Sequence, residues 1–197
     1  MPGRLGLLLL LSLGASFASA CGTTAPSRFY TLDSTATADG ASPTRCAVIV
    51  GPASIPASVD RPEFVVQVAP NRVEIEEFNR WAAPLGDSIA SVVAGDLAML
   101  LGTPDVATGT LANFNADYRV TLNVQRFESV RAVAVTVDVV WAIQKAAGGP
   151  ARSGRTIAHE AVQGDGFDAL AAGHSRALAT VSADIAAAIR ETRSSVR

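Results

Sequence analysis

The chain has 197 residues, 49% of them hydrophobic and 17% charged, with a formal net charge of −2. That length suits one domain, and that apolar share excludes a disordered chain. The slightly acidic balance, with no basic stripe, argues against a nucleic-acid partner; Arg190, Arg193 and Arg197 at the C-terminus read more simply as a solvated helix end favoured by the helix dipole.

Met1–Ala20 has the layout of a secretory signal, with Arg4, then the apolar run Leu5–Leu13, then small residues up to Ala20. Leu5–Ala20 is too short to span a bilayer, which takes about 20 apolar residues. Ala18-Ser19-Ala20-Cys21 resembles a lipobox, in which a cysteine thiol accepts diacylglycerol and cleavage leaves that cysteine as the new N-terminus. A thiol suits this chemistry because its thiolate is a strong nucleophile. Ala18 departs from the commoner Leu. The rival reading, ordinary cleavage after Ala20 with Cys21 unmodified, stays open. Each buried CH₂ of an acyl chain contributes about 0.8 kcal/mol, so two or three chains anchor far better than one. Gly22 stands where an aspartate typically retains lipoproteins at the inner membrane, so resemblance to that sorting rule points to the outer membrane. The chain thus divides into a signal over residues 1–20, a lipidated cysteine and tether over 21–27, and a single periplasmic domain over 28–197. Gly22–Ser27 reaches about 20 Å when extended. Lipidation of Cys21 leaves Cys46 unpaired, as a small buried hydrophobe.

Arg28–Leu32 reads as a first strand, Asp33–Arg45 as a loop, and Ala47–Val50 as a β-branched central strand that Gly51-Pro52 interrupts. Phe64–Val68 and Arg72–Glu76 flank a turn at Ala69-Pro70-Asn71. In the second of these, Val73 and Ile75 alternate with Arg72, Glu74 and Glu76, so one face is expected to be wet. Leu85–Leu101 carries Ile89, Val92, Val93, Leu97, Leu100 and Leu101 at helical spacing, with Pro84 before it and Gly102 and Pro104 after it. Tyr118–Phe127 and Val133–Ile143 alternate cleanly and, with Arg155–Val162 as a third strand after a Gly/Pro loop, predict a three-stranded antiparallel meander. Phe167–Arg193 predicts a long helix with Leu170, His174, Leu178, Val181, Ile185 and Ile189 along one stripe. Two helices and five to seven strands predict a two-layer α+β domain, a mainly antiparallel sheet with both helices packed on one face.

The residues offer no catalytic set. His159 and Glu160 are adjacent on a strand and point to opposite faces, and His174 lies in the apolar stripe, where a core-edge role is the simpler reading. No Cys/His spacing suits a metal, and there is no G-x-S-x-G elbow or P-loop. Glu74, Glu76 and Glu77 fit a solvated strand better than acid–base chemistry. No enzyme activity, cofactor or metal is therefore expected.

One segment stands out, Gly51–Leu85. Asp60-Arg61-Pro62 sets a charged pair before a proline, which keeps Arg61 extended. Asn79-Arg80-Trp81 follows the acidic strand, and Trp and Arg are enriched in binding hot spots. The plainer alternative is that Trp81 plugs a helix–sheet junction while Arg80 pairs with an acid.

The runs I-P-A-S-V-D-R-P at Ile55–Pro62, N-R-V-E-I-E-E-F-N-R-W-A-A-P-L at Asn71–Leu85 and F-Y-T-L at Phe29–Leu32 together resemble the ABC-type transport auxiliary lipoprotein family, in the family's order and over essentially the whole mature chain. The resemblance implies a non-enzymatic, lipid-anchored partner of an MCE-domain protein and an ABC transporter permease, docking a phospholipid-transport assembly at the outer membrane. It assigns Asp60, Arg61, Asn79, Arg80 and Trp81 to the family motif, as candidate partner-binding positions, and leaves a homo-oligomeric ring open. The alternative function is a periplasmic lipid-binding carrier with a cavity between sheet and helices. The low aromatic share, 6%, argues against a large greasy pocket.

Overall fold

The computed structural model describes residues 25–109 and 114–194; the signal segment and Cys21 lie outside them. Over these residues the chain runs β1 (Arg28–Tyr30), β2 (Val48–Ser54), β3 (Glu63–Ala69), β4 (Arg72–Trp81), α1 (Leu85–Leu101), β5 (Val106–Thr108), β6 (Tyr118–Val130), β7 (Ala134–Lys145), β8 (Arg152–Ala161) and α2 (Phe167–Ser194). This is the expected α+β domain, and its helices pack against the five-stranded sheet β5-β2-β6-β7-β8.

The strands divide between two sheets, the second being β1-β4-β3. The long ladders β6–β7, β7–β8 and β3–β4 are antiparallel. The short ladders β1–β4 and β2–β5, and the β2–β6 pairing, are parallel. Gly51-Pro52 does not end β2 as expected. The ladder with β6 shifts register between Val50 and Ala53, and such a bulge accommodates a residue that cannot donate a backbone hydrogen bond.

The clean alternation in β6 and β7 buries Val120, Leu122 and Val124 against Val137, Val139 and Ile143 on the helix side. Helix α1 contributes Ile89, Val93, Leu97 and Leu101; α2 contributes Leu170, Leu178, Val181, Ile185 and Ile189. These side chains fill the space between the layers, since nearly all are fully buried. Helix α1 ends at Gly102 in the left-handed region, φ 62, with Thr103 N–H donating back to the Ala98 carbonyl. A side chain there would also press on Pro43.

A strap crosses the helices between β1 and β2. Asp96 on α1, fully buried, accepts from Ser34 Oγ at 2.6 Å, from Thr35 and Ala36 N–H at 3.0 Å each, and from Ser182 Oγ of α2 at 3.1 Å. The helices run side by side in the same direction: Asp96 meets Ser182, and further along Arg190 donates to the Leu100 carbonyl. Their N-termini therefore share one end of the domain and their C-termini the other.

Candidate functional site

The family-motif residues converge at the end where the helices begin. After β2, Pro56 carbonyl accepts from Val59 and Asp60 N–H, closing a turn, and Arg61 N–H returns to the Val59 carbonyl. The loop is then clipped to the end of β4, where Trp81 N–H donates to the Pro62 carbonyl at 2.6 Å. β1 lies beside the same stretch, pairing Arg28, Phe29 and Tyr30 with Asn79, Arg80 and Trp81. Asp60, Arg61, Asn79, Arg80 and Trp81 are thus brought to one place by a loop and two strands.

Their roles differ. Trp81 is buried and stacks on Phe64, centroids 4.0 Å apart. Around this pair Tyr30, Phe127, Phe167 and His174 close a cluster of rings drawn from β1, β3, β4, β6 and α2. His174 lies flat on Phe127 at 3.8 Å, deeper than the core edge expected for it, with Nε2 bonded to Ser129 Oγ at 2.8 Å. Full burial drives its pKa down to about 3, because desolvation penalises the imidazolium. Asn79 Oδ1 accepts from the Tyr30 hydroxyl at 3.0 Å. Arg80 pairs with Glu63, and that hydrogen bond holds the Glu63 carboxyl below the usual range. Asp60 is exposed, and Arg61 is half-buried. Trp81 therefore serves as the internal pin of the motif, while the polar members stand around it.

In the β3–β4 hairpin the face that is open to water is that of Val73 and Ile75, whereas the alternation suggested the face of Glu74 and Glu76. Phe64 and Val66 point into the core, and their cross-strand partners are Glu76 and Glu74. The opposite face pairs Val65 with Ile75 and Gln67 with Val73, and Val73 and Ile75 are 55% and 52% exposed. The reason is that Phe64 and Val66 turn into the core, which leaves the face of Val73 and Ile75 outward. Phe29, on β1 in the same sheet, is 63% exposed. The result is an apolar strip, Phe29, Val65, Ile75 and Val73, with the Arg80–Glu63 pair beside it. Sequence alternation marked these residues as one face but could not say which face the core would take.

On β8, His159 bonds Thr136 at 3.0 Å, while Glu160 pairs with Arg176 from the other face. Glu76 lies 4.0 Å from Arg131, which sits over the Phe167 ring. Among the described residues no group of His, Cys, Asp and Glu is gathered as a metal would require, and no helix is long and apolar enough to cross a membrane.

A family model described as ABC-type transport auxiliary lipoprotein component matches residues 30–186. Among solved structures, protein XCC0632 from Xanthomonas campestris, assigned to the family DUF330, is 20% identical, covers 86% of this chain and 100% of its own, and superposes with a TM-score of 0.71. A crystal structure of an uncharacterized protein gives 0.69 at 20% identity, over 84% of this chain and 99% of that one. A PelC dodecamer from Paraburkholderia phytofirmans is a looser likeness, 0.41 at 16% identity over 82% and 92% of the two chains. No curated protein matches the chain.

Proposed function

Since this chain belongs to the family of ABC-type transport auxiliary lipoprotein components, we propose that it is a non-enzymatic docking subunit of an MCE/ABC-type phospholipid transport system, held by acyl chains on Cys21 at the periplasmic side of the outer membrane. The observation that carries this reading is the uncovered apolar strip on the β1-β4-β3 sheet, with Val73 and Ile75 half-exposed beside the family motif. Monomeric proteins rarely leave large side chains together in water without a partner. Arg80, paired with Glu63, supplies a polar edge of the kind interfaces place around an apolar centre, and the family motif brings in Asp60, Arg61 and Asn79 as further partner contacts.

The tether supports the same arrangement. Arg28, which opens β1, is seven residues from Cys21, a span of at most about 25 Å, so a lipid on Cys21 keeps the strip close to its membrane. The filled space between sheet and helices favours docking over a carrier with an internal lipid cavity.

Purification of the native chain from membranes tests this reading. An MCE-domain protein and its permease are expected to co-purify, palmitate label is expected on Cys21, and a Val73→Asp/Ile75→Asp chain is expected to lose the partners while keeping the label. Native preparations that carry no MCE protein would contradict it.

A further inference from the structure

The opposite end of the domain, where both helices finish, holds a cleft of about 890 Å³. That is within the range of small-ligand sites, roughly 300–1,000 Å³. Arg45, Lys145, Arg190 and Arg193 line it, with Asp117 the only acid in the lining among the described residues. In a chain of net charge −2 this is a concentrated positive region.

Of the four cations, Arg190 is spent on the fold and Arg193 only in part. Arg190 pairs with Asp39 and donates to the Leu100 carbonyl, closing the end of α1. Thr44 N–H takes the Leu101 carbonyl, so the α1 terminus has its own partners. Arg193 donates from Nη1 to the Arg45 carbonyl at 2.7 Å, and its remaining donors meet no partner among the described residues. Helix-end electrostatics therefore account for Arg190 and part of Arg193. They do not account for Lys145, at the end of β7, or for the Arg45 guanidinium, in the lead-in to β2. Neither has a hydrogen-bond or ion-pair partner among the described residues. Asp117 turns its carboxylate towards Ala47 N–H, 2.8 Å away.

Tyr118 adds a neutral donor. It lines the cleft together with Arg193, and burial pushes its hydroxyl pKa up. Ala146 and Ala147 form a short, uncharged wall. Three cations with free donors, a phenol and an uncharged wall match an anion carrying several acceptor oxygens on a non-polar body.

We propose that this cleft binds a phosphate ester, with Lys145, Arg45 and Arg193 on the phosphate oxygens and the alanine wall against the esterified carbon chain. The ester is supplied either as a phospholipid headgroup or as a free phosphate compound. The site is separate from the hairpin strip, and the inference stands independently of the docking reading.

Calorimetric titration of the full chain carrying Cys21→Ser tests it, using glycerol 3-phosphate, a free phosphate ester, in one arm and monomeric dihexanoyl-phosphatidylglycerol in the other. Saturable binding that weakens with salt is expected, with a loss of about tenfold or more in Lys145→Glu. Tighter binding of the short-chain lipid identifies a headgroup; equal binding identifies the free ester. Both outcomes support the site. Arg45→Glu serves as a second variant, and circular dichroism checks that both variants fold. Absence of heat in both arms, or undiminished binding by the two folded variants, overturns the proposal. Because no transport partner is present, that failure leaves the docking reading untouched.

Discussion

The two ends of this domain are built from opposite chemistry. Where α1 and α2 begin, rings from five elements close a dry cluster around Trp81, and the strands beyond it present Val73 and Ile75 to water. Where the helices finish, cations surround an open cleft and the backbone ends are capped by arginines and loop amides. The first end is rigid inside and apolar outside, a good base for a protein contact. The second is polar and open, suited to a small anion. The strap over residues 33–36 crosses between them and is fixed at its middle by Asp96.

The largest expected effect lies in the ring cluster. Trp81→Ala removes the stack on Phe64 and leaves a cavity, costing about 3–5 kcal/mol in denaturant unfolding. If the loss is below about 1 kcal/mol, Trp81 is not the pin described here and is free to act as a contact residue. Asp96→Ala comes next. It strands the Ser34 hydroxyl and two strap amides, while Ser182 keeps the Leu178 carbonyl, and about 2–4 kcal/mol is expected to be lost. Faster amide exchange at Thr35 and Ala36 in that variant would show that the strap, not the helix, has loosened.

The third test is acid sensitivity. His174 is neutral in the fold, with its pKa lowered to about 3, whereas a free imidazole titrates near 6.5. The unfolded chain therefore binds a proton that the folded chain refuses. The contribution is present above pH 6.5 and is lost as pH falls towards 3, at about 1.4 kcal/mol per pH unit. Between pH 6.5 and 5 the Glu63 and Asp138 carboxyls, both held low by arginines, stay charged in the fold and do not obscure it. His174→Phe is expected to flatten stability over that window; an unchanged slope would place the acid sensitivity elsewhere. The smallest effect on stability belongs to the outer strip. Val73→Ser/Ile75→Ser is expected to change unfolding free energy by no more than about 0.5 kcal/mol, because the strip is uncovered in the free chain. A larger loss would mean that the strip packs on the domain itself.

The elements that read clearly from sequence are those whose period is long enough to fix one face. Leu85–Leu101 matches its expected bounds because Pro84 and Gly102 bracket an unbroken apolar stripe, and the β6–β7–β8 meander follows from alternation over ten or more residues. β1 and β5 are three residues each and owe their pairing to neighbours far along the chain. Alternation in β4 showed two faces but not which one the core would take, since Phe64 and Trp81 settle that from outside the run. Arg80 and Asn79 were visible as motif members; their partners Glu63 and Tyr30 lie 17 and 49 residues away and carried no local signal. The basic cleft was invisible for the same reason, because Arg45, Lys145 and Arg193 come together only in the fold.

Docking through the hairpin strip, as proposed, requires a transporter partner at that end of the domain and not at the cleft. Photo-crosslinking in intact cells, from a benzophenone side chain placed at Ile75 or at Lys145, reads this directly. The expected result is an adduct with an MCE-domain protein from position 75 and none from position 145. An MCE adduct from position 145 alone, or from neither position, would contradict docking through the hairpin strip.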